Sequence, residues 1–214
     1  MQTLFVLKRQ PLREHDWLLD VFSLERGRLT LVLNRPSYFP DLFTPYQGDW
    51  QTSRDWPLIK AWQIGQAYPL QDNALYCGLY LNELLNLLLP PNEPLPELFQ
   101  AYQRTLEGLS QFSYPAPWLR LFEWQLLQDL GYGFSWLKDK QGLPIAAHKH
   151  YIFTAKEGFS EAATGFLGEY LLAFAQGSHD LNVWKQAQQV LRQALDSILE
   201  QPLLSRELLH IPKA

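Results

Sequence analysis

Apolar and polar residues alternate over residues 1–75 with the two-residue period that is typical of short β-strands. The β-forming runs in this part are residues 4–7, 17–24, 28–33 and 58–65. Gly27 lies between the second and third runs, where it allows the positive φ that a tight hairpin turn requires. Three prolines interrupt residues 35–46, which we predict to be an irregular loop. Roughly five strands with one long loop predict a small closed β-barrel of the OB type.

After residue 75 the apolar positions recur at the spacing of amphipathic helices. The predicted helices are residues 81–88, 96–109, 118–130, 165–174 and 181–200, and residues 151–154 are predicted to form a strand. Gly131 ends the third helix as a left-handed cap. The fold class that we predict is α+β with two domains: an N-terminal OB-type β-barrel over residues 1–75 and a mainly α-helical C-terminal domain over residues 76–214.

The composition is that of a folded globular protein, because 47% of the 214 residues are hydrophobic and 19% are charged. No apolar run reaches the roughly 18 residues of a membrane span, and no secretory signal is visible, so we expect a cytoplasmic protein without a membrane partner. Cys77 is the single cysteine, which excludes an internal disulfide and a four-cysteine zinc site. We expect neither a metal nor a cofactor.

The formal net charge of −4 is unevenly distributed along the chain. Residues 1–75 contain eight basic and eight acidic residues, whereas residues 76–214 contain ten basic and fourteen acidic residues. A nucleic-acid surface is therefore easier to place on the barrel than on the helical part of the chain.

Sequence motifs of catalysis are absent: there is no phosphate-binding P-loop, no dinucleotide fingerprint, no His-Glu-x-x-His pair and no Gly-x-Ser-x-Gly elbow. His148 and His150 supply only two metal ligands, which are too few for a site. Glu83 and Glu123 could form a pair of acid–base carboxylates, but a capping or salt-bridge role within the helical domain is the simpler interpretation. We therefore expect a binding protein and keep an enzyme with an unrecognised site as an alternative.

Basic residues of the barrel are the candidate DNA-binding residues. They are Lys8, Arg9, Arg13, Arg26, Arg28, Arg35 and Lys60. Barrels of this type bind single strands by tracking phosphates with cations and by stacking bases on aromatic side chains, for which Tyr38 and Phe39 are available. The alternative is that neighbouring acids neutralise these cations as ordinary surface pairs, and the acids concerned are Glu14, Asp16, Glu25 and Asp41. The sequence leaves both interpretations open.

Arg120 is the most informative charge of the second part. It lies in the most amphipathic predicted helix, next to Leu121 and one turn before Trp124. A cation beside apolar side chains suits an acidic peptide that ends in a hydrophobic residue. The alternative is a salt bridge from Arg120 to Glu123, or packing against Trp124 alone.

Four segments together resemble the RecO family of bacterial DNA repair proteins. They are HDWLLDVFSLERGRLTLV at 15–32, GLYLNELLNLLLP at 78–90, LRLFEWQLLQDLGYG at 119–133 and PLLSRELL at 202–209. The resemblance implies a non-catalytic recombination mediator that binds single- and double-stranded DNA and anneals complementary strands. With its partner RecR, such a protein helps to load RecA onto strands coated by the single-stranded DNA-binding protein (SSB). It also binds the acidic C-terminal tail of SSB in a pocket of the helical domain, and the resemblance implies that Arg120 is the cation that meets this tail. With its apolar neighbours Leu121 and Trp124, Arg120 forms the tail site that we predict.

Three departures from the family pattern stand out, and two of them, in the loop and in the tail, weaken the expected DNA affinity. Some members carry a four-cysteine zinc site, which a chain with Cys77 alone cannot form. The usually basic loop after the third strand has one cation and one acid over residues 34–41, and the basic tail is shortened to residues 210–214. We therefore expect weaker DNA binding than the family implies, and a second function stays open: an adaptor that binds the SSB tail with little intrinsic DNA affinity.

Overall fold

Five strands close into a barrel at the start of the chain, in a computed structural model that describes residues 1–36, 38–51, 56–178 and 180–208. The strands are β1 (Gln2–Arg13), β2 (Asp16–Ser23), β3 (Gly27–Asn34), β4 (Pro45–Gln51) and β5 (Leu58–Ile64). Their order around the barrel is β1-β2-β3-β5-β4, in which β3 and β5 are parallel and the other neighbours are antiparallel. The closed five-stranded barrel of the OB type is therefore confirmed.

Helices follow the barrel, as the change of period predicted. They are α1 (Asp72–Leu88), α2 (Pro96–Gln111), α3 (Ala116–Asp129), α4 (Gly168–Ala175), α5 (Leu181–Asp196) and the short α6 (Ser205–Leu208). A three-stranded sheet interrupts them, with β6 (His150–Thr154) between β7 (Gly158–Ala162) and β8 (Phe166–Leu167). Within the described residues, no helix is long and apolar enough to cross a membrane.

The strand β4 falls partly in the segment that the sequence predicted to be a loop. Its residues include Gln47, Gly48 and Asp49, which have a low intrinsic preference for strands. Burial nevertheless alternates along it, with Tyr46 and Gly48 inside the barrel and Gln47 and Asp49 outside. The strand exists because β1 and β5 supply backbone partners on both of its edges.

Two glycine predictions are confirmed by the backbone. Gly27 has a φ of +69° at the β2–β3 turn, and Gly131 has a φ of +79° after α3. Gly27 is also required for space, because a Cβ at this position would lie 1.8 Å from the backbone carbonyl oxygen of Glu93. The segment that follows α1 therefore packs directly on the turn.

The chain divides into two compact units. Unit 1 contains Met1–Pro115 together with the segment that begins at Leu203, and unit 2 contains Ala116–Pro202. The helices α1 and α2 therefore belong to the same compact unit as the barrel. The shortened basic tail, residues 210–214, lies outside the described residues.

The barrel of unit 1 is apolar on its inside and over part of its outside. The interior is filled by Leu4, Val6, Leu19, Val21, Leu29, Leu31, Leu33 and Tyr46. On the outside, Phe5 and Phe22 are fully buried against α2, where Phe5 contacts Tyr102 edge-to-face with ring centroids 5.1 Å apart. Phe22 lies 5.2 Å from the ring of Phe99. This second apolar layer makes α2 part of the structure that supports the barrel.

Two buried hydrogen bonds of one side chain, here called the polar bridge, orient the elements that pack together. The Asn82 side chain in α1 donates to the Leu7 carbonyl oxygen over 3.2 Å and accepts from the Tyr102 hydroxyl over 2.5 Å. One amide thereby connects β1, α1 and α2. Because a buried amide without partners is costly, the bridge permits one arrangement of these three elements.

Glu83 in α1 holds the end of the described chain. Its carboxylate accepts from the backbone N–H groups of Leu204 and Ser205 over 2.8 and 2.9 Å, and from the Ser205 hydroxyl. These donors begin α6, so Glu83 caps that helix from another part of the chain. The capping interpretation of Glu83 is therefore confirmed.

We predict that Tyr102→Phe lowers the free energy of unfolding by about 1–3 kcal/mol at neutral pH. The change removes the hydroxyl that donates to the Asn82 side chain, so the buried Oδ1 of Asn82 loses this donor. Urea denaturation followed by circular dichroism measures the difference.

The free energy of unfolding at alkaline pH provides the control for this prediction. Burial raises the pKa of Tyr102 above its usual value of 10.0, so the unfolded chain releases this proton at a lower pH than the folded chain does. The contribution is present below about pH 10 and is lost as the pH rises above it. Tyr102→Phe removes that part of the pH dependence. If the free energy of unfolding of the variant falls above pH 10 as it does in the unmodified protein, Tyr102 is not its cause.

Candidate functional site

An open cleft lies at one end of the barrel, between the β1–β2 turn and the loop that follows β3. Its volume is about 590 Å³, and it is lined by Glu14, His15, Trp17, Arg35, Pro36 and Phe39. The Arg35 backbone N–H donates to the His15 carbonyl oxygen over 2.9 Å, which joins the two walls. Arg35 adopts a φ of +40° at this point, where the chain leaves β3. The turn and the loop therefore form one structure.

Two aromatic side chains form the apolar part of the cleft. Trp17 and Phe39 meet edge-to-face, with ring centroids 4.7 Å apart and an interplanar angle of 68°. Trp17 also packs against the barrel core, whereas 43% of Phe39 is exposed. One ring is therefore fixed by the core and the other faces solvent.

The loop that carries Phe39 is held by two polar contacts. Arg9 donates from Nη1 to the Pro40 carbonyl oxygen over 3.1 Å, and the Asp41 backbone N–H donates to the Tyr46 hydroxyl over 2.8 Å. Desolvation raises the pKa of that hydroxyl above its usual value of 10.0. Arg9, a predicted DNA-binding residue, thus has a structural role in positioning the cleft.

Strand register places the predicted cations at two ends of the barrel. The β2–β3 pairing runs from Asp16 opposite Asn34 to Ser23 opposite Gly27, which is about 23 Å at 3.3 Å per residue. Arg13 and Arg35 lie at the first end, beside the cleft, whereas Arg26 is exposed in the turn at the other end. The structure therefore does not bring all seven cations onto one short surface.

The remaining candidate cations differ in whether their side chains already donate a hydrogen bond within the protein. Arg28 donates from Nε to the Leu89 carbonyl oxygen over 2.9 Å, so it connects β3 to the end of α1. Lys8 is exposed on β1, next to a register shift, and lies opposite Asp20. Lys60 is exposed on β5, two residues after Leu58, which pairs with Val32 near the cleft end of β3. Lys8 and Lys60 are therefore available to a ligand.

Surface ion pairs do not neutralise the barrel. In the part of the chain that the structure describes, none of the seven candidate cations lies within 4.0 Å of a carboxylate oxygen. Asp16 and Asp20 do lie opposite Arg13 and Lys8 in the strand register, which lowers the positive potential without occupying the cations. The cations keep their capacity for phosphate, but the surface is only moderately basic.

In unit 2, Arg120 forms a buried ion pair with Glu123 on α3. The distance from Arg120 Nη2 to Glu123 Oε1 is 2.6 Å, and the two residues are 6% and 1% exposed. The Nε of Arg120 is buried without a hydrogen-bond partner among the described residues. The salt bridge that the sequence left open is thus present.

The other two residues of the predicted tail site are neighbours one turn apart on α3, but they differ in exposure. Leu121 is 48% exposed, whereas Trp124 is half-buried. Trp124 packs against Phe134 with ring centroids 4.8 Å apart and against Trp136 at 5.8 Å. These rings belong to an aromatic cluster that forms much of the unit 2 core. Its other members are Phe153, Phe159, Phe174 and Trp184.

Metal ligands do not converge in the described part of the chain, where no group of three or more His, Cys, Asp or Glu residues could hold an ion. His150 lies exposed at the start of β6, and Lys149 between the two histidines pairs with Glu161 over 2.7 Å.

Sequence reasoning missed Trp17, His15 and Glu14 as members of the cleft. All three stand in or beside the segment at 15–32 that carries the family resemblance, but their partner Phe39 is 22 residues or more away along the chain. The hydrogen bond from Arg35 to His15 and the ring contact between Trp17 and Phe39 show that these residues meet.

We predict that Arg120→Ala lowers the free energy of unfolding by about 3–5 kcal/mol, because Glu123 stays buried without the cation that faces it. Replacement of both members, Arg120→Met with Glu123→Leu, serves as the control and costs little, since a well-packed apolar pair needs no desolvation of charge. Chemical denaturation measures both variants. A cost below about 1 kcal/mol for Arg120→Ala would show that the pair has no structural role.

Comparison with known proteins gives a consistent result over nearly the whole chain. The family model described as "Recombination protein O C terminal" matches residues 72–207. A "DNA repair protein RecO" of Haemophilus influenzae (strain 86-028NP) is 39% identical over 223 residues, which covers 97% of this chain and 94% of the relative. Proteins with the same name are 37% identical in Stutzerimonas stutzeri (97% and 92% covered) and 33% identical in Cellvibrio japonicus (97% and 95% covered).

Proposed function

We propose that this chain, which belongs to the RecO family of DNA repair proteins, acts as a non-catalytic recombination mediator. In this role it binds single- and double-stranded DNA, anneals complementary strands and, with RecR, helps to load RecA onto SSB-coated strands. It does so in the cytoplasm and is associated with the nucleoid when bound to DNA. The observation that carries the proposal is the aromatic cleft at one end of the barrel together with the candidate cations beside it, which have no ion pair among the described residues.

The DNA path that we propose runs over the cleft end of the barrel. Arg13 and Arg35 flank the cleft, and Lys8 and Lys60 extend the basic surface from it. Arg9 and Arg28 contribute by supporting the structure of the path, because each donates a hydrogen bond to a backbone carbonyl oxygen of unit 1. Arg26, at the opposite turn, reaches DNA only when a strand extends along the whole hairpin.

Few phosphate contacts imply a modest affinity and a shallow dependence of that affinity on salt concentration. Each contact on a single strand contributes about 0.7 to the slope of log affinity against log salt concentration. Asp16 and Asp20 also lie across from two of the cations. A mediator with such a surface releases a strand readily, which annealing requires.

We predict that Arg13→Glu with Arg35→Glu lowers single-strand affinity at least tenfold and reduces the salt slope by about 1.4, because two phosphate contacts are lost. Fluorescence anisotropy of a labelled single strand at several salt concentrations measures both quantities. Arg26→Glu, with half the charge change of the double variant, is the control at the far end of the hairpin.

Equal losses for Arg26→Glu and the double variant would contradict the proposed path. Absence of DNA binding by the unmodified protein, together with retained binding of an SSB-tail peptide, would instead favour the adaptor, which is the second function that the modest charge supports.

The SSB-tail site that we propose lies on α3. Leu121 offers an exposed apolar contact, and Arg120 offers a charge for the terminal carboxylates of the peptide. Because Glu123 already occupies Nη2 of Arg120, the guanidinium reaches a peptide only by moving outward from the ion pair. Its unsatisfied Nε favours such a movement, since the incoming carboxylate supplies the missing acceptor.

We predict that Arg120→Met with Glu123→Leu lowers the affinity for an SSB-tail peptide by about 10- to 150-fold. This corresponds to the loss of a charged hydrogen bond of about 1.5–3 kcal/mol. We expect the double variant to keep the fold, and the denaturation measurement above checks this, so that a loss in a folded variant reports binding. Peptide titration by anisotropy is the measurement. Unchanged affinity would remove Arg120 from the site.

A pair of leucine variants separates the apolar part of this site. Leu121→Ala weakens the peptide in the same titration, whereas Leu181→Ala, at an equally exposed position of unit 2, does not. Equal effects of the two leucine variants would show that α3 is not the docking face.

A further inference from the structure

We infer that the cleft at the end of the barrel holds one unstacked nucleobase of the bound strand, so that it selects single strands over duplexes. The inference rests on the proposed function, because it concerns the same DNA path. It goes further in naming the ligand of the cleft, which is a single base with both faces available, and in predicting a preference among DNA forms.

The dimensions and walls of the cleft suit a planar aromatic ligand. A volume of about 590 Å³ lies within the range of about 300–1,000 Å³ that small-ligand sites occupy. Trp17 and Phe39 meet at 68°, so a base that stacks on one ring meets the edge of the other. A base that is still stacked inside a duplex cannot offer its face to either ring.

The aromatic walls are positioned before a strand arrives. Trp17 is backed by the barrel core, and the loop that carries Phe39 is held by the contact from Arg9 to Pro40. The backbone bond from Arg35 to His15 joins the turn to that loop. A preformed platform of this kind binds with little loss of conformational entropy.

The charges around the cleft orient the nucleotide. Arg35 is the one cation and Glu14 the one acid among the six lining residues. A phosphate is attracted to Arg35 and to the neighbouring Arg13, and Glu14 repels it. The phosphate therefore lies on the Arg35 side, and the base points into the aromatic part. The His15 ring, which also lines the cleft, has one donor and one acceptor for base edges when it is neutral.

The test compares Phe39→Ala with Phe112→Ala, a variant of an exposed phenylalanine outside the cleft. Anisotropy is measured with three labelled probes: a single-stranded oligonucleotide, the same strand made of abasic sites, and a blunt duplex. We expect Phe39→Ala to lower the single-strand affinity about tenfold with an unchanged salt slope. The abasic and duplex affinities stay within about twofold of the unmodified protein, and Phe112→Ala changes none of the three.

The outcomes separate this inference from the proposed function. If the unmodified protein binds the single strand and the abasic strand equally well, DNA binding stands and the base pocket is wrong. Equal losses by Phe39→Ala on all three probes also overturn the pocket, because they show a general contact or a damaged loop. If the unmodified protein binds none of the probes, the proposed DNA function fails, and the inference fails with it.

Discussion

The pairing of β2 with β3 is the constraint on which the rest of the barrel depends. Eight residue pairs fix the register, with Asp16 opposite Asn34 at one end and Ser23 opposite Gly27 at the other. At the Gly27 end the turn is closed by the Glu93 carbonyl, which leaves no room for a side chain. At the Asn34 end the chain turns at Arg35 and opens the cleft. A slip of one residue would reverse every side chain and remove both features.

The two units use charge in opposite ways. On the barrel the candidate cations have no carboxylate contacts among the described residues, so their charge stays available to phosphate. In unit 2, Arg120 is buried with Glu123, and the ion pair offsets part of the desolvation cost of the two charges. A cation without an ion pair on a rigid barrel suits a nucleic acid that binds and dissociates. A buried ion pair suits a site whose conformation changes when the carboxylate of a ligand competes for the cation. The difference follows from burial and not from residue type.

Local pattern predicted the strands and helices whose signal lies within one element, such as the alternation in β3 and the apolar stripe of α3. The strand β4 was not predicted as such, because Gln47, Gly48 and Asp49 form a strand only when two neighbours pair with them. The cleft was not predicted because Trp17 and Phe39 meet through the tertiary structure. Likewise, the donors that Glu83 binds at residue 205 are 122 positions away. Contacts of this range leave no periodic signal in the sequence.

Annealing two strands requires that a protein hold each strand without competing for its pairing edges. On the DNA path that we propose, the cations beside the cleft contact phosphates, so the bases along most of the strand stay free to pair. A cleft that accepts one base interrupts stacking at a single nucleotide, and it loses its ligand when that base pairs and stacks in a duplex. Under the base-binding proposal, release is coupled to duplex formation, because the bound base leaves Trp17 and Phe39 when it pairs. A small number of phosphate contacts and one base-sized cleft are, on this argument, a better design for annealing than a wide basic surface.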